Sequence, residues 1–319
     1  MPALSLEAGR VEAWLGRSVQ VDGRAETGSS NVTWLVAVDG AAAVLRHPPP
    51  GRTLATAHDL ARERRYLAAL AGTPVPVAGV IAFCDDLDVI GVPFLISTRM
   101  EGVCLLGSRP PLRDPRGLAR SAIDTLAAIH SLDWRHTTLP APSGRYLIRQ
   151  IGRWRQQLEQ TPTSGRLGDL TPIHDWLIAH LPAWEETTIV HGDYGFHNLL
   201  VDADRSVVTA VLDWELATLG DPLSDLMSFV KGWGREAEPP NPANRAFGER
   251  GWDPTAGELV AWYESSTGRT LGPDRPFYEV FGRWRSIGIM EGIFARSQGT
   301  RFVDGVPRLV QRTMAMIDA

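Results

Sequence analysis

Lysine is nearly missing from this 319-residue chain: Lys231 is the only one, and every other basic residue is an arginine. Any role before position 231 that a lysine would ordinarily fill must therefore fall to an arginine. Cysteine is scarce too. Cys84 and Cys104 form no CxxC pair and no disulfide framework, so two reduced thiols in a cytoplasmic protein are expected. No run of about 18 apolar residues occurs, which excludes a hydropathy-defined spanning helix. The first residues carry Glu7 and no apolar stretch, unlike a secretory signal. Positive charge is not in excess. With 32 basic against 37 acidic residues, the formal net charge is −5. No global field draws a polyanion, so neither nucleic acid nor a membrane surface is an expected partner.

What remains is a globular composition, 44% apolar, sufficient for a large core and two lobes. Residues 5–16 have helical spacing, with Ser5 placed to cap them. Two β-rich runs, Val32–Val38 and Ala42–Leu45, are joined by Asp39-Gly40, a strong hairpin signal, and Pro48-Pro49-Pro50-Gly51 then stops the sheet. "TAHDLARERRYLAALAG" reads as a helix ending at Gly72. Its apolar stripe, Leu60, Leu67 and Leu70, also takes in Glu63 at helical spacing. A carboxylate on a buried face is costly unless paired, so either a cation waits opposite Glu63 or its side chain reaches out to solvent.

Two more strand-like runs flank Asp85-Asp86, and this β-rich half ends near Gly102. From Pro115 to Leu181 the pattern is mostly helical, including a stripe of Leu147, Ile151, Trp154 and Leu158, and it is helical again after Asp221. Asp221-Pro222 suits an aspartate cap with proline at the first helical position. The expected class is α+β: a small antiparallel sheet with one helix over residues 1–102, then a larger, mainly helical lobe over 103–319.

"HGDYGFHNLLV" packs one aspartate, two histidines and an asparagine into a stretch otherwise written for a strand end. Asp193 and Asn198 are spaced D-x-x-x-x-N; after them Leu199-Leu200-Val201, the turn 202–205 and the strand 206–213 make a hairpin ending at Asp213. Such a hairpin brings Asn198 and Asp213 together, with Asp193 a loop away. An amide and a carboxylate oxygen suit Mg²⁺, which keeps positions for water and substrate phosphates. A separate aspartate to receive a hydroxyl proton completes what kinase-type phosphoryl transfer needs. The rival reading takes His191, Asp193 and His197 as metal ligands of a hydrolase; it leaves Asn198 and Asp213 unused and lacks the helical spacing of a zinc motif. In the first half, "ETGSSNV" offers small residues whose N–H groups can approach phosphate. Arg46 closes the third β element and is the natural partner of Glu63.

With those motifs in view, the chain resembles the aminoglycoside phosphotransferase and choline kinase family, which shares the protein-kinase fold. Within it, the chain is most similar to the branch that includes the kinase-like domain of some acyl-CoA dehydrogenases. "HGDYGFHNLLV" resembles the family's catalytic loop and "VLDWELATLGDPLSDL" its metal-binding segment, while "SSNVTWLV", "VLRHPPPG" and "AHDLARERRYLAAL" follow its N-lobe order. The resemblance implies a two-lobe enzyme that uses ATP and Mg²⁺ to phosphorylate a small-molecule hydroxyl. It implies Asp193 as catalytic aspartate and Asn198 and Asp213 as metal ligands. Nucleotide would be handled by Gly28, Ser29, Ser30, Asn31, Arg46 and Glu63, and adenine would lie against Ile96–Met100, the family's hinge segment, including Ser97, Arg99 and Met100. Three acceptor readings stay open: an anionic acceptor such as a hydroxyacyl-CoA, suggested by Arg149, Arg153, Arg155, Arg283, Arg285 and Arg296; an aminoglycoside; or none, in a catalytically silent nucleotide binder with Arg46 where most kinases place lysine. Oligomeric state is not legible.

Overall fold

Asp39 and Gly40 both take positive φ, +50° and +79°. They join β2 (Val32–Val38) to β3 (Ala41–His47) in the two-residue turn that Asp-Gly predicts. The structure is a computed structural model and describes residues 6–25, 31–49, 60–105, 112–233 and 253–318. The expected Ser5 cap, the end of the proline stop at Pro50-Gly51, the start of the Glu63 helix and nearly all of the 236–254 loop lie outside them. Along β2 the alternate residues Val32, Trp34, Val36 and Val38 are buried, the period of a half-buried strand. On β3 the same alternation buries Ala43, Leu45 and His47 and so turns Arg46 to the other face.

β1 (Val19–Arg24), β4 (Val80–Cys84) and β5 (Phe94–Thr98) complete an antiparallel sheet of order β1-β2-β3-β5-β4. Val11 of α1 (Ala8–Leu15), Trp34, Val36, Leu45, Phe94 and Ile96 form the core on one face. Sequence reading misses β1: Val19-Gln20-Val21-Asp22 alternates over four residues only, the register shifts between Val21 and Gly23, and Val19 alone is buried. The acidic pair expected as a simple turn does more. Asp86 caps the four-residue helix α3 (Leu87–Ile90), accepting from the Asp88 N–H at 2.9 Å. In α2 (Leu60–Leu70) the buried residues are Leu60, Glu63, Tyr66, Leu67 and Leu70, so Glu63 faces inward.

The chain divides into two compact units, one from 1–113, 133–139 and 191–217, the other from 114–132, 140–190 and 218–319. The first also holds a sheet of order β6-β8-β9, made by β6 (Val103–Cys104), β8 (Leu199–Asp202) and β9 (Val207–Val211). The second contains α4 (Pro115–His130), α5 (Tyr146–Gln160), α6 (Thr171–Ala179), α7 (Pro222–Val230), α8 (Ala256–Thr267), α9 (Arg275–Arg296) and α10 (Gly305–Ile317), with β7 (Thr188–Val190) paired to β10 (Thr218–Gly220). The predicted α5 stripe is buried as a whole, and Trp154 packs so closely on Gly288 of α9 that a Cβ there would lie 2.7 Å from its ring. Among the described residues no helix is long and apolar enough to cross a membrane.

Asp221 caps α7 as its sequence suggests, accepting from the Leu223 N–H at 2.8 Å and from the Tyr278 hydroxyl at 2.9 Å. Burial pushes its pKa up from 3.8 to about 7, against the pull of those two hydrogen bonds. A folded-state pKa above the unfolded value means the folded state holds the proton more tightly. That stabilisation is fully present below about pH 4 and is lost as the pH rises through about 7. Denaturant midpoints of the wild type are therefore expected to fall between about pH 5 and pH 8, and to fall less in Asp221→Asn.

Candidate active site

Gly192 follows the end of β7 with φ +79°, and a Cβ on it would lie 2.6 Å from the Leu216 carbonyl oxygen. Only glycine lets the loop pass that carbonyl in this conformation. Next to it, His191 is fully buried. Its Nε2 lies 2.8 Å from the Leu212 carbonyl oxygen and its Nδ1 accepts from the Asp193 N–H at 3.1 Å. Nε2 therefore carries the proton, and both ring nitrogens are engaged. His191 braces the loop and has no lone pair to offer a metal, which removes a ligand from the hydrolase reading. Among the described residues no three His, Cys, Asp or Glu side chains converge as a metal cage would need.

The loop then presents Asp193. Asn198 donates from Nδ2 to both the backbone oxygen and Oδ2 of Asp193, each at 3.0 Å, and His197 Nε2 lies 3.2 Å from the same Oδ2. A short turn closed by the Asn198 N–H on the Gly195 carbonyl, at 2.8 Å, leads into β8. β8 pairs with β9 from Leu199↔Val211, and beyond that pair the Leu212 N–H donates to the Asn198 carbonyl at 2.8 Å. The open end of the hairpin thus carries Asn198 on one side and Leu212-Asp213 on the other. Asp213 has φ +66°, and the chain turns there out of the strand.

Arg46 ties this segment to the sheet and to α2. One guanidinium nitrogen bonds Glu63 Oε1, and the other bonds Asp213 Oδ1 at 2.9 Å. Glu63 is only 3% exposed. Burial works against charge on the Arg46 guanidinium, but the Glu63 and Asp213 carboxylates outweigh it and hold the group firmly protonated. Burial pushes the Glu63 carboxyl up, and Arg46 pulls it back. Two residues past Asp213, Glu215 is buried and accepts from Asn31 Nδ2 at 3.2 Å. Burial, reinforced by the charge of Asp213, pushes its pKa up to about 8.

Of the residues expected at the site, Asp193, Asn198, Asp213, Arg46, Glu63 and Asn31 are thus joined through hydrogen bonds and ion pairs, by way of the hairpin and Glu215. Gly28, Ser29 and Ser30 lie outside the described residues. Ser97 is buried on β5 opposite Val44, two positions along β3 from Arg46, while Arg99 is exposed and Met100 half-buried just past the strand. Sequence reading missed Glu215 and the His197–Asp193 contact. For Glu215 a signal exists: a second acid, two residues past Asp213, in the otherwise mostly apolar run 207–219, the same argument that singled out Glu63.

Residues 24–259 match the model of the phosphotransferase enzyme family APH. Acyl-CoA dehydrogenase family member 10 of Mus musculus is 33% identical over 281 residues, 85% of this chain but 26% of that protein. Acyl-CoA dehydrogenase family member 11 of Homo sapiens is 30% identical over 278 residues, 84% of this chain and 35% of that protein. The chain therefore spans about a third or less of the length of these relatives. Among solved structures, a candidate aminoglycoside phosphotransferase from Ralstonia eutropha is 30% identical, with a TM-score of 0.75 over 98% of this chain and 97% of that one. The match across 24–259, joined to that likeness over nearly the whole length, carries the conclusion: this chain belongs to the phosphotransferase enzyme family and has its protein-kinase-like fold.

Proposed function

We propose that this protein transfers the γ-phosphoryl group of ATP to a hydroxyl of a small acceptor, with Mg²⁺ held by Asn198 and Asp213. The observation that supports this most is the coupling of Arg46, bridging Glu63 and Asp213, to a hairpin whose other end, Asn198, grips Asp193. The donor set suits a hard cation: amide and carboxylate oxygens, with phosphate and water free to fill the remaining positions. Glu63 Oε2 and Asn31 Oδ1 are moreover buried acceptors with no hydrogen-bond partner among the described residues. Mg²⁺ held by Asn198 and Asp213 would neutralise and orient the transferring phosphoryl group.

The chain's own groups divide the remaining work. Asp193 takes the proton of the acceptor hydroxyl. Arg46 turns its fork to phosphate oxygens while Glu63 fixes its plane. Asn31, with Gly28, Ser29 and Ser30, covers the phosphates, and Ser97, Arg99 and Met100 back the adenine. Residues 1–102 thus serve the nucleotide, and 103–319 supply the loop, the metal ligands and the acceptor pocket.

The acceptor in this reading is anionic, a hydroxyacyl-CoA or a related metabolite. Arg283 supports it. Its Nε is buried with no partner among the described residues, and its Nη1 has only the Glu279 carbonyl oxygen at 3.5 Å. Burial pushes its pKa down, more than the nearby Glu279 carboxylate raises it. Arg155, by contrast, is paired with Glu159, and Arg149 bonds the Ser143 and Gly144 carbonyls. Likeness to the Ralstonia eutropha protein supports the aminoglycoside alternative. One panel separates the readings: ATP and Mg²⁺ with hydroxyacyl-CoAs, with kanamycin-type aminoglycosides and with neutral alcohols, scored by mass spectrometry for an added phosphate. Phosphorylated hydroxyacyl-CoA, lost with EDTA, is expected. Turnover of aminoglycosides alone reverses the acceptor assignment. Nucleotide binding without turnover of any acceptor favours a silent binder.

A further inference from the structure

We propose that His197 is a positioning residue: its ring, which is not among the groups assigned to the cation, helps set the orientation of the Asp193 carboxylate. The proposal rests on the phosphotransfer reading above. Two donors meet at Asp193 Oδ2, Asn198 Nδ2 at 3.0 Å and His197 Nε2 at 3.2 Å. Because a carboxylate oxygen accepts, the imidazole must carry its proton on Nε2 to make the contact.

Asn198 alone is a poor anchor. Its Nδ2 holds Asp193 through two oxygens, yet its Oδ1 is the atom assigned to the cation. The amide is planar and rigid, so a pull on Oδ1 drags Nδ2 with it. The His197 ring is not among the atoms assigned to the cation. Its carbonyl accepts from Cys104 Sγ at 3.5 Å, and Cys104 on β6 is paired with Leu200 on β8. The turn holding its ring is closed by the bond between Asn198 and Gly195. The backbone that carries the ring is therefore held by the three-stranded sheet and by that turn. His191 has a different role: its ring bonds the Leu212 carbonyl and the Asp193 N–H, both backbone groups, and it shapes the loop rather than the carboxylate.

The contrary reading is that His197–Asp193 is an inconsequential pair at the surface. The Asp193 side chain is 40% exposed, so the pair adds little to stability, about 0–1 kcal/mol. Rate is a different matter, because a reacting group turned off line loses about tenfold or more even when folding is untouched. The two readings therefore part on rate against stability.

The test uses the full chain with Mg²⁺ and ATP, following phosphate release to water and transfer to whichever acceptor the panel yields. His197→Ala is expected to lower kcat about tenfold, with KM for ATP and the thermal midpoint essentially unchanged. His197→Gln, whose Nε2 can reach the same oxygen, should recover most of the loss. Ring ¹⁵N spectra of His197 should show the Nε2-protonated tautomer, and its resonance should move in Asp193→Asn. An unaltered kcat in His197→Ala, a His197→Gln no better than His197→Ala, or a ring resonance indifferent to Asp193→Asn overturns the proposal. A wild type inactive with every acceptor and with water removes the phosphotransfer reading itself. An active wild type with an unaffected His197→Ala removes the positioning role alone.

Discussion

Asp193→Asn is expected to lower phosphoryl transfer by about 10²–10⁴-fold, the range a positioned general base contributes. ATP affinity and folding should survive. The substitution keeps the shape of the side chain, and the Asp193 N–H that donates to His191 belongs to the backbone. The effect should therefore appear in kcat and in kcat/KM alike, with KM for ATP little altered, the pattern of an interaction made in the transition state. Steady-state kinetics with the best acceptor from the panel, beside nucleotide binding by calorimetry, checks it. If Asp193→Asn keeps wild-type turnover, the assignment of the loop as catalytic fails.

Arg46→Met should act on stability as well as on turnover. It leaves Glu63, 3% exposed, without the guanidinium that its Oε1 bonds, and breaking a buried pair from one side costs about 3–5 kcal/mol. Asp213, a quarter exposed, can still turn to water, so Glu63 carries most of the penalty. Adding Glu63→Leu should restore much of the lost stability, since a well-packed apolar pair is often as good as the ion pair it replaces. It should not restore activity. Denaturant midpoints of the two single variants and the double variant, with unchanged m, measure this as a cycle. A single Arg46→Met as stable as wild type would show that Glu63 does not depend on the pair.

Two particular residues show how far the sequence could be read. Glu63 was legible because helical spacing placed a charge in an apolar stripe, and burial of a charge demands a partner. Arg46 closed the strand that precedes this helix, and the pair formed. Glu215 obeyed the same logic, yet its partner Asn31 stands 184 positions away, and no local pattern announces a contact across that span. β1 was invisible for a different reason: its alternating run, Val19-Gln20-Val21-Asp22, is only four residues long before the register shifts at Val21/Gly23. The roles proposed for Ser97, Arg99 and Met100 came from family likeness alone, and nothing in their local spacing would have singled them out.

By itself the order of residues determined what depends on neighbours a few positions apart. The Asp39-Gly40 turn, the α5 stripe, the Asp221 cap and the 198–213 hairpin all follow from backbone preference and periodicity, which act over a turn or two. Only tertiary structure decided which groups meet. It gave one guanidinium to both Glu63 and Asp213, brought Glu215 to Asn31, and set His197 rather than His191 against the Asp193 carboxylate. Those pairings depend on where whole strands and loops come to rest, and charge and burial select among them only once the chain has packed.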